Sequence, residues 1–367
     1  MNFKELGISS DIIDVLKKHG IKTPTEIQEN SITTILNNKD VIAEAQTGTG
    51  KTLAFLLPIF EKISAQAKGV QCLIVSPTRE LALQITEEAN KLSEGKALGV
   101  LAMYGGKDIG AQLKKLQGNI NIVIATPGRL LDHIKRKTID LSNVKTMVID
   151  EADQMLLMGF KNEIEAIMKE MPKKRQTLCF SATMDSAVKK LAYRYMKDPS
   201  VISVKKEEVT LENINQEVVE TIDRVKKQTL FKVLKEDNPF MAIIFCRTKR
   251  RANELEAVMH REKFNCEVIH SDVPQNKRER IMKSFRKADI QYLIATDVAA
   301  RGLDISGVSH IYNYDIPEKA STYIHRIGRT GRAGDDGYTC LFVDPKDFKI
   351  LNDIEREIKF KIKRRNV

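Results

Sequence analysis

The segment Ala45-Gln46-Thr47-Gly48-Thr49-Gly50-Lys51-Thr52 sets a lysine and a hydroxyl directly behind two closely spaced glycines. Glycines at 48 and 50 let backbone N–H groups approach and cradle phosphates, and a helix that starts there presents its positive end to them. Lys51 would reach the β and γ phosphates of a nucleoside triphosphate, and Thr52 would ligate Mg2+. The generic pattern asks for Gly where Ala45 stands. A Gly-rich turn closed by a surface lysine is the bland alternative. The apolar run Val41-Ile42-Ala43 before it and the stretch Leu53 to Phe60 after it supply the strand-then-helix setting a phosphate loop requires.

A second group lies at Asp150-Glu151-Ala152-Asp153, directly after Thr146-Met147-Val148-Ile149. A carboxylate at a strand end beside a phosphate loop can hold Mg2+ through water, the role expected of Asp150. The adjacent Glu151 can orient and deprotonate an attacking water. Alone, three carboxyl groups in four residues would equally be an acidic helix start favoured by the helix dipole. The third group, His325-Arg326-Ile327-Gly328-Arg329-Thr330-Gly331-Arg332, carries three arginines in eight residues. By itself it suits a solvated basic loop or a polynucleotide patch. Its catalytic reading is that Arg329 and Arg332 reach a γ-phosphate held by the first half and stabilise transition-state charge.

These groups need a scaffold that brings strand ends together. Nine short apolar runs predict buried strands: Val41 to Ala43, Cys72 to Val75, Ile122 to Ala125, Met147 to Ile149 and Leu178 to Phe180, then Ile243 to Phe245, Tyr292 to Ala295, Ile311 to Asn313 and Cys340 to Val343. Segments of helical spacing, such as Glu80 to Lys91 and Glu163 to Met171, lie between them. This alternation predicts a parallel α/β sheet, whose ligand sites fall where the runs end. A length of 367 residues suits two domains. Thr78 and Thr248 lie 170 residues apart, as do Thr126 and Thr296, and each closes or follows an apolar run. Two such matches are compatible with chance or with two similar domains in tandem. The charged stretch Val204 to Asn215 is the linker candidate.

Composition bounds the rest. Sixty Lys and Arg against forty-nine Asp and Glu leave +11, which permits a polyanionic partner without requiring one. Aromatic residues are 6% and Trp is absent, so any nucleic acid would be held by its backbone and not on stacking platforms. The five cysteines form no C-x-x-C pair, and buried thiols are expected. No run has the apolar length to cross a bilayer and the N-terminus lacks signal-peptide order, so a cytoplasmic location and no membrane partner are expected.

Taken together, the segments resemble the DEAD-box family of ATP-dependent RNA helicases over nearly the whole chain, Asp150-Glu151-Ala152-Asp153 being the naming motif and Ala45 the usual first residue of that family's phosphate loop. The resemblance implies two tandem RecA-like parallel-sheet α/β domains with an ATP and RNA cleft between them. They would be an ATP-binding domain at 1–207, a linker at 208–215 and a helicase domain at 216–367. ATP and Mg2+ are the implied cofactors. Gly20, Pro24, Ile27 and Gln28, with Phe3 upstream, resemble the family's Q motif. Gln28 carries an acceptor and a donor that suit the N6 and N7 edge of adenine. Thr47, Gly48, Thr49, Gly50, Lys51 and Thr52 would hold the phosphates, with Arg301 and Asp304 facing the nucleotide and Asp304 towards the ribose.

The same resemblance assigns Ser181-Ala182-Thr183, with Asp153 and His325, to coupling hydrolysis to strand separation. It assigns RNA contacts to Pro77, Thr78, Arg79, Gly105, Gly106, Thr126 and Arg129 in the first half. In the second half they fall on Arg247, Thr248, Gln275 through Arg278 and Thr296. The departures are Ile21 where an aromatic is common, Ser271 for Gly in His270-Ser271-Asp272, and Gln154 where charge is frequent. The basic run Lys359 to Arg365 is expected to be the solvated end of a last helix with Ile358 and Ile362 buried. The implied function is RNA-stimulated ATP hydrolysis by a monomer that opens short duplexes; an ATP-gated RNA clamp or a DNA-directed translocase are the alternatives. Ribosomal or RNA-degradation machinery are the candidate protein partners.

Overall fold

The computed structural model describes all residues except 46–47, 107–109, 111–115, 117, 205–213, 301–306 and 332–336, and only the backbone of Val298 and Ser321. The chain divides into two compact units, Met1–Lys206 and Glu207–Val367.

The first unit is built on a parallel sheet of β1 (Val41–Glu44), β2 (Cys72–Val75), β3 (Val100–Met103), β4 (Ile122–Ala125), β5 (Thr146–Ile149), β6 (Gln176–Ser181) and β7 (Ser200–Ser203), in the order β3-β4-β2-β5-β6-β1-β7. Both faces of the central strands are covered, as a parallel sheet demands. Period-two alternation divides the central strands between two cores. Cys72 and Ile74 pack with Phe55, Phe60 and Phe180 on one face, while Leu73 and Val75 pack with Met147, Ile149 and Ile164 on the other.

The second unit holds β8 (Ile214–Glu220), β9 (Ala242–Cys246), β10 (Cys266–Ile269), β11 (Tyr292–Thr296), β12 (His310–Asn313), β13 (Gly337–Val343) and β14 (Lys363–Arg364), in the order β10-β11-β9-β12-β13-β8-β14. Counted from its own first strand, this is the order of the first sheet. The threonine coincidence therefore has a structural basis. Thr78 caps the helix Arg79–Leu92 by accepting from the Leu81 N–H at 3.2 Å. Thr248 caps Lys249–Arg261 by accepting from the Arg251 N–H at 3.2 Å.

All nine expected strands are present, and the helices expected at Glu80 to Lys91 and Glu163 to Met171 form as Arg79–Leu92 and Lys161–Lys169. All five cysteines are buried and free. Two expectations need correction. Ile214 and Asn215, expected in the linker, are sheet residues paired with Gly337 and Tyr338; positions 208–213 lie outside the described residues. The basic run is also not a helix end. The last helix, Phe348–Glu357, stops before it, and Lys363–Arg364 add to β8 as an edge strand. Ile358 and Ile362 are buried as expected, at 6% and 2% exposure, but Ile362 lies beyond the helix. The charges are taken up by carboxylates: Lys361 and Arg364 on Glu355, Lys363 on Glu217, and Arg365 on Glu236 and Asp237.

Candidate active site

The carboxyl edge of the first sheet orders the motifs. Following β3-β4-β2-β5-β6-β1, the chain leaves each strand through Gly105-Gly106, Thr126, Thr78, Asp150, Ser181 and the phosphate loop. Hydrogen bonds extend the sheet one step into these segments: Thr126 N to Met103 O at 2.9 Å, Asp150 N to Val75 O at 2.9 Å, and Ala45 N to Ser181 O at 3.0 Å.

In the phosphate loop Gly48 and Gly50 stand at φ of 85° and 91°, a region that favours glycine. Lys51 opens the helix Lys51–Lys62 and Thr52 follows it; Thr47 lies outside the described residues. Gln28 secures the loop from below. Its Oε1 accepts from the Thr25 N–H at 3.0 Å and its Nε2 donates to Gly50 O at 3.0 Å. The adenine-edge atoms expected of Gln28 are thus already engaged with Thr25 and the phosphate loop, each keeping one further N–H or lone pair. Phe3, expected beside the nucleotide, is 3% exposed in the core, and Ile21 packs against that core.

Lys51 is buried and its Nζ has no hydrogen-bond partner among the described residues. Asp150 is 3% exposed; burial pushes its carboxyl up to about 7, against the pull of Lys51. A buried ammonium without an acceptor beside a desolvated carboxyl fits a polyanion bound with a hard divalent cation. Among the described residues no cluster of three His, Cys, Asp or Glu could hold a metal unaided, so such an ion would share its coordination with substrate phosphates and water.

Glu151 follows with φ of 52° and ψ of 51°, a left-handed conformation rare outside glycine, and it stands at the head of the helix Ala152–Leu157. Asp153 is 4% exposed. Its N–H donates to Ser181 Oγ at 3.2 Å, and its Oδ2 accepts from Thr183 Oγ1 at 3.2 Å. The β5 and β6 strand ends are therefore tied through the three residues expected to act in coupling. Gln154 is buried at 4%, and its side-chain amide has no partner among the described residues.

On the other side of β5, the residues expected at RNA gather. A Cβ on Gly105 would lie 3.2 Å from the Arg79 guanidinium, so the glycine permits a close approach. Thr126 heads Pro127–Lys135, which carries Arg129 half-buried in its first turn. Pro77 and Thr78 are buried at the β2 end.

In the second unit, Arg247 donates its backbone N–H to Asp315 Oδ2 at 2.9 Å and keeps a 40% exposed side chain. Thr296 ends β11. Ser271 is exposed and bonds Asp272, which pairs with Lys249. His325 lies on the helix Ala320–Ile327, and Arg329, 7% exposed, follows it. Arg301, Asp304 and Arg332 lie outside the described residues.

Sequence reasoning gave no role to Arg326. It is 2% exposed, grips both oxygens of Asp297 at 2.6 and 2.8 Å, and reaches Asn313 and the Asp315 carbonyl. Three arginines in eight residues were the signal, but spacing could not say which one turns inward.

This constellation matches a known class. The family model for DEAD/DEAH box helicases covers residues 25–191, and the helicase conserved C-terminal domain covers 225–334. The chain belongs to the DEAD-box family of ATP-dependent RNA helicases, with two RecA-like parallel-sheet domains in tandem. It is 47% identical to the DEAD-box ATP-dependent RNA helicase CshA of Bacillus subtilis (strain 168), over 99% of this chain and 74% of that one. It is 46% identical to CshA of Geobacillus kaustophilus (strain HTA426), over 99% and 78%. Among solved structures, S. cerevisiae Dbp5 bound to RNA and ADP BeF3 matches with a TM-score of 0.91 and 31% identity, over 99% of this chain and 95% of that one. Mss116p bound to ssRNA and AMP-PNP matches with 0.87 and 32%, over 99% and 78%.

Proposed function

We propose that the chain is an RNA-stimulated ATPase that opens short RNA duplexes locally, with RNA holding the two domains closed over ATP. The observation that carries this reading is the Asp153 tie. One carboxylate and its backbone join the segment after β5 to Ser181 and Thr183 at the end of β6, the neighbour of the strand that leads to Lys51. The other neighbour of β5 is β2, which leads to Thr78, with the strands ending at Thr126 and Gly105 beyond it. A change at the phosphates therefore has a short covalent and hydrogen-bonded route to the RNA side of the same edge.

In this reading the first domain spans 1–207, the second begins with β8, and the junction falls within 208–213. Lys51 and the loop N–H groups hold the β and γ phosphates; Thr52 and Asp150 hold Mg2+, which neutralises developing phosphate charge. Glu151 takes the proton of the attacking water. Gln28 holds the loop through Gly50 and offers its remaining N–H and lone pair to adenine. Asp304 faces the ribose. Arg329 and Arg332 stabilise transition-state charge once the domains close, which makes turnover conditional on RNA. The RNA is gripped by sugar and phosphate, which favours weak sequence preference and a need for the 2′-hydroxyl. A strand bent along that grip expels its complement, and loss of phosphate reopens the domains.

The test is linkage. ATP analogue and single-stranded RNA must tighten each other's binding by the same factor. Glu151→Gln should keep that coupling while hydrolysis falls below detection, and Arg329→Ala should keep ATP binding while turnover falls about 10³-fold. Analogue affinity unchanged by saturating RNA would refute the scheme, and equal stimulation by single-stranded DNA would point to a DNA-directed motor.

A further inference from the structure

The two sheets share one strand order, so each loop of the first unit has a counterpart in the second. The counterpart of the phosphate loop leaves β8. Thr221 N bonds Val343 O at 2.9 Å, as Ala45 N bonds Ser181 O at 3.0 Å. The following helix, Lys226–Asp237, opens on a lysine, as Lys51–Lys62 does. The carboxylate nearest the place of Asp150 is Asp315, two residues beyond β12 where Asp150 is one beyond β5: its N–H bonds Phe245 O at 3.1 Å, as Asp150 N bonds Val75 O at 2.9 Å. Lys226 is 2% exposed and lies within the electrostatic reach of Asp315, as Lys51 does of Asp150. The second unit thus repeats the lysine and carboxylate of a phosphate cradle at similar places, beyond the corresponding strands.

What differs is the loop. Ile222-Asp223-Arg224-Val225 has no glycine to expose its N–H groups, and it carries a carboxylate instead. Asp223 accepts from Lys346 Nζ at 2.8 Å and from the Arg251 guanidinium at 3.2 Å, and it acts electrostatically on Lys226. These cations hold its carboxyl down to about 2, the Lys346 hydrogen bond leading. Arg251 also pairs with Asp315 at 2.9 Å. Among the described residues Lys51 has no hydrogen-bond partner for its Nζ, whereas the cations of the second site face carboxylates of the chain's own.

We propose that the second unit carries a phosphate-oxyanion site formed by Lys226, Arg251 and Lys346, which the Asp223 carboxylate fills from within. The site is a cradle of the first unit's design occupied by its own loop, and it keeps phosphate chains out of the second unit. The proposal rests on reading Lys51 as a phosphate ligand. The test separates the two, because titration with an ATP analogue examines Lys51 alone.

With the first cradle saturated by an ATP analogue, inorganic tripolyphosphate and a short single-stranded RNA are titrated separately into the full chain and into Asp223→Asn. The variant should gain a tripolyphosphate site at least tenfold tighter than any in the parent, and Arg251→Met in the same background should remove the gain. A gain for RNA alone would assign the site to backbone phosphodiester, keeping the oxyanion chemistry. No gain for either titrant in a folded variant overturns the proposal. If Asp223→Asn is unfolded in chloride buffer, inorganic phosphate should restore its folding; failure to do so overturns the proposal equally.

Discussion

Thr183 gives its hydroxyl to Asp153 Oδ2 at 3.2 Å, while Oδ1 of the same carboxylate accepts from the Gln154 N–H at 3.0 Å. The carboxylate is thus shared between the segment after β6 and the first turn of its own helix. Thr183→Val keeps shape and removes the donor. We expect RNA-stimulated ATP hydrolysis within about threefold of the parent and duplex unwinding reduced at least tenfold, since a net hydrogen bond to a charged group is worth about 1.5–3 kcal/mol. Parallel ATPase and strand-displacement assays check this, and undiminished unwinding would remove the coupling role.

Glycine 50 and glycine 48 make a matched pair for testing how the loop is held. A Cβ at Gly50 would lie 2.5 Å from Gln28 Nε2 and 2.8 Å from Thr25 Oγ1, whereas one at Gly48 would meet nothing within 4 Å among the described residues. Both carry positive φ, so each alanine adds backbone strain of about 1 kcal/mol or more. Only Gly50→Ala must also displace Gln28. It should cost nucleotide affinity at least tenfold more than Gly48→Ala, read by fluorescent nucleotide titration.

Burial sets a pH dependence through Asp150. Its carboxyl titrates near 7 in the folded chain against 3.8 when unfolded, so between those values the folded state binds the extra proton. Nucleotide-free stability attributable to this group is therefore greatest at low pH, falls as pH rises from about 4 to about 7, and is flat above. Asp150→Asn should be more stable than the parent at pH 8, with the gap in melting temperature closing towards pH 4. A gap independent of pH would show that Asp150 is not the titrating group. Binding of Mg2+ with nucleotide near pH 6.5 should release protons in the parent and fewer in the variant, which calorimetry in two buffers measures.

Arg365 joins three carboxylates, bonding Asp237 and Glu236 and lying 3.5 Å from Glu217. Arg365→Ala leaves Asp237 and Glu217, both nearly buried, short of a donor and should cost about 1–3 kcal/mol, with single-stranded RNA affinity unchanged. Lys359→Ala should change neither. A loss of RNA affinity with no loss of stability would restore the basic run as an RNA contact. Denaturant titration and RNA binding on the same samples decide.

The nine strands buried on both faces were legible because their apolar runs have no competing period. The five others lie nearer the sheet edges or carry polar residues. β7 alternates half-buried and exposed along Ser200–Ser203, β3 alternates half-buried and buried along Val100–Met103, and β14 is wholly exposed. Such strands form because a neighbour supplies hydrogen bonds, information that lies far off in the sequence. Motif chemistry at Lys51, Asp150 and Asp153 was readable from type and order. That Gln28 holds the Gly50 carbonyl, that Glu151 sits left-handed, and that Arg326 turns inward are products of tertiary packing. The basic run misled for a related reason: its partners Glu217, Glu236 and Asp237 are remote in the chain.

The strand order also sets a sequence of events during synthesis. Val41, in the strand that launches the phosphate loop, pairs with Leu178 on one side and Ser200 on the other. A ribosome must therefore release nearly the whole first unit before that loop has a sheet beneath it. Until then β1 and the glycines behind it are an unpaired hydrophobic segment, available to chaperones and to misassociation. ATP cannot steady the nascent chain early; its stabilising contribution begins only when the first unit is essentially complete.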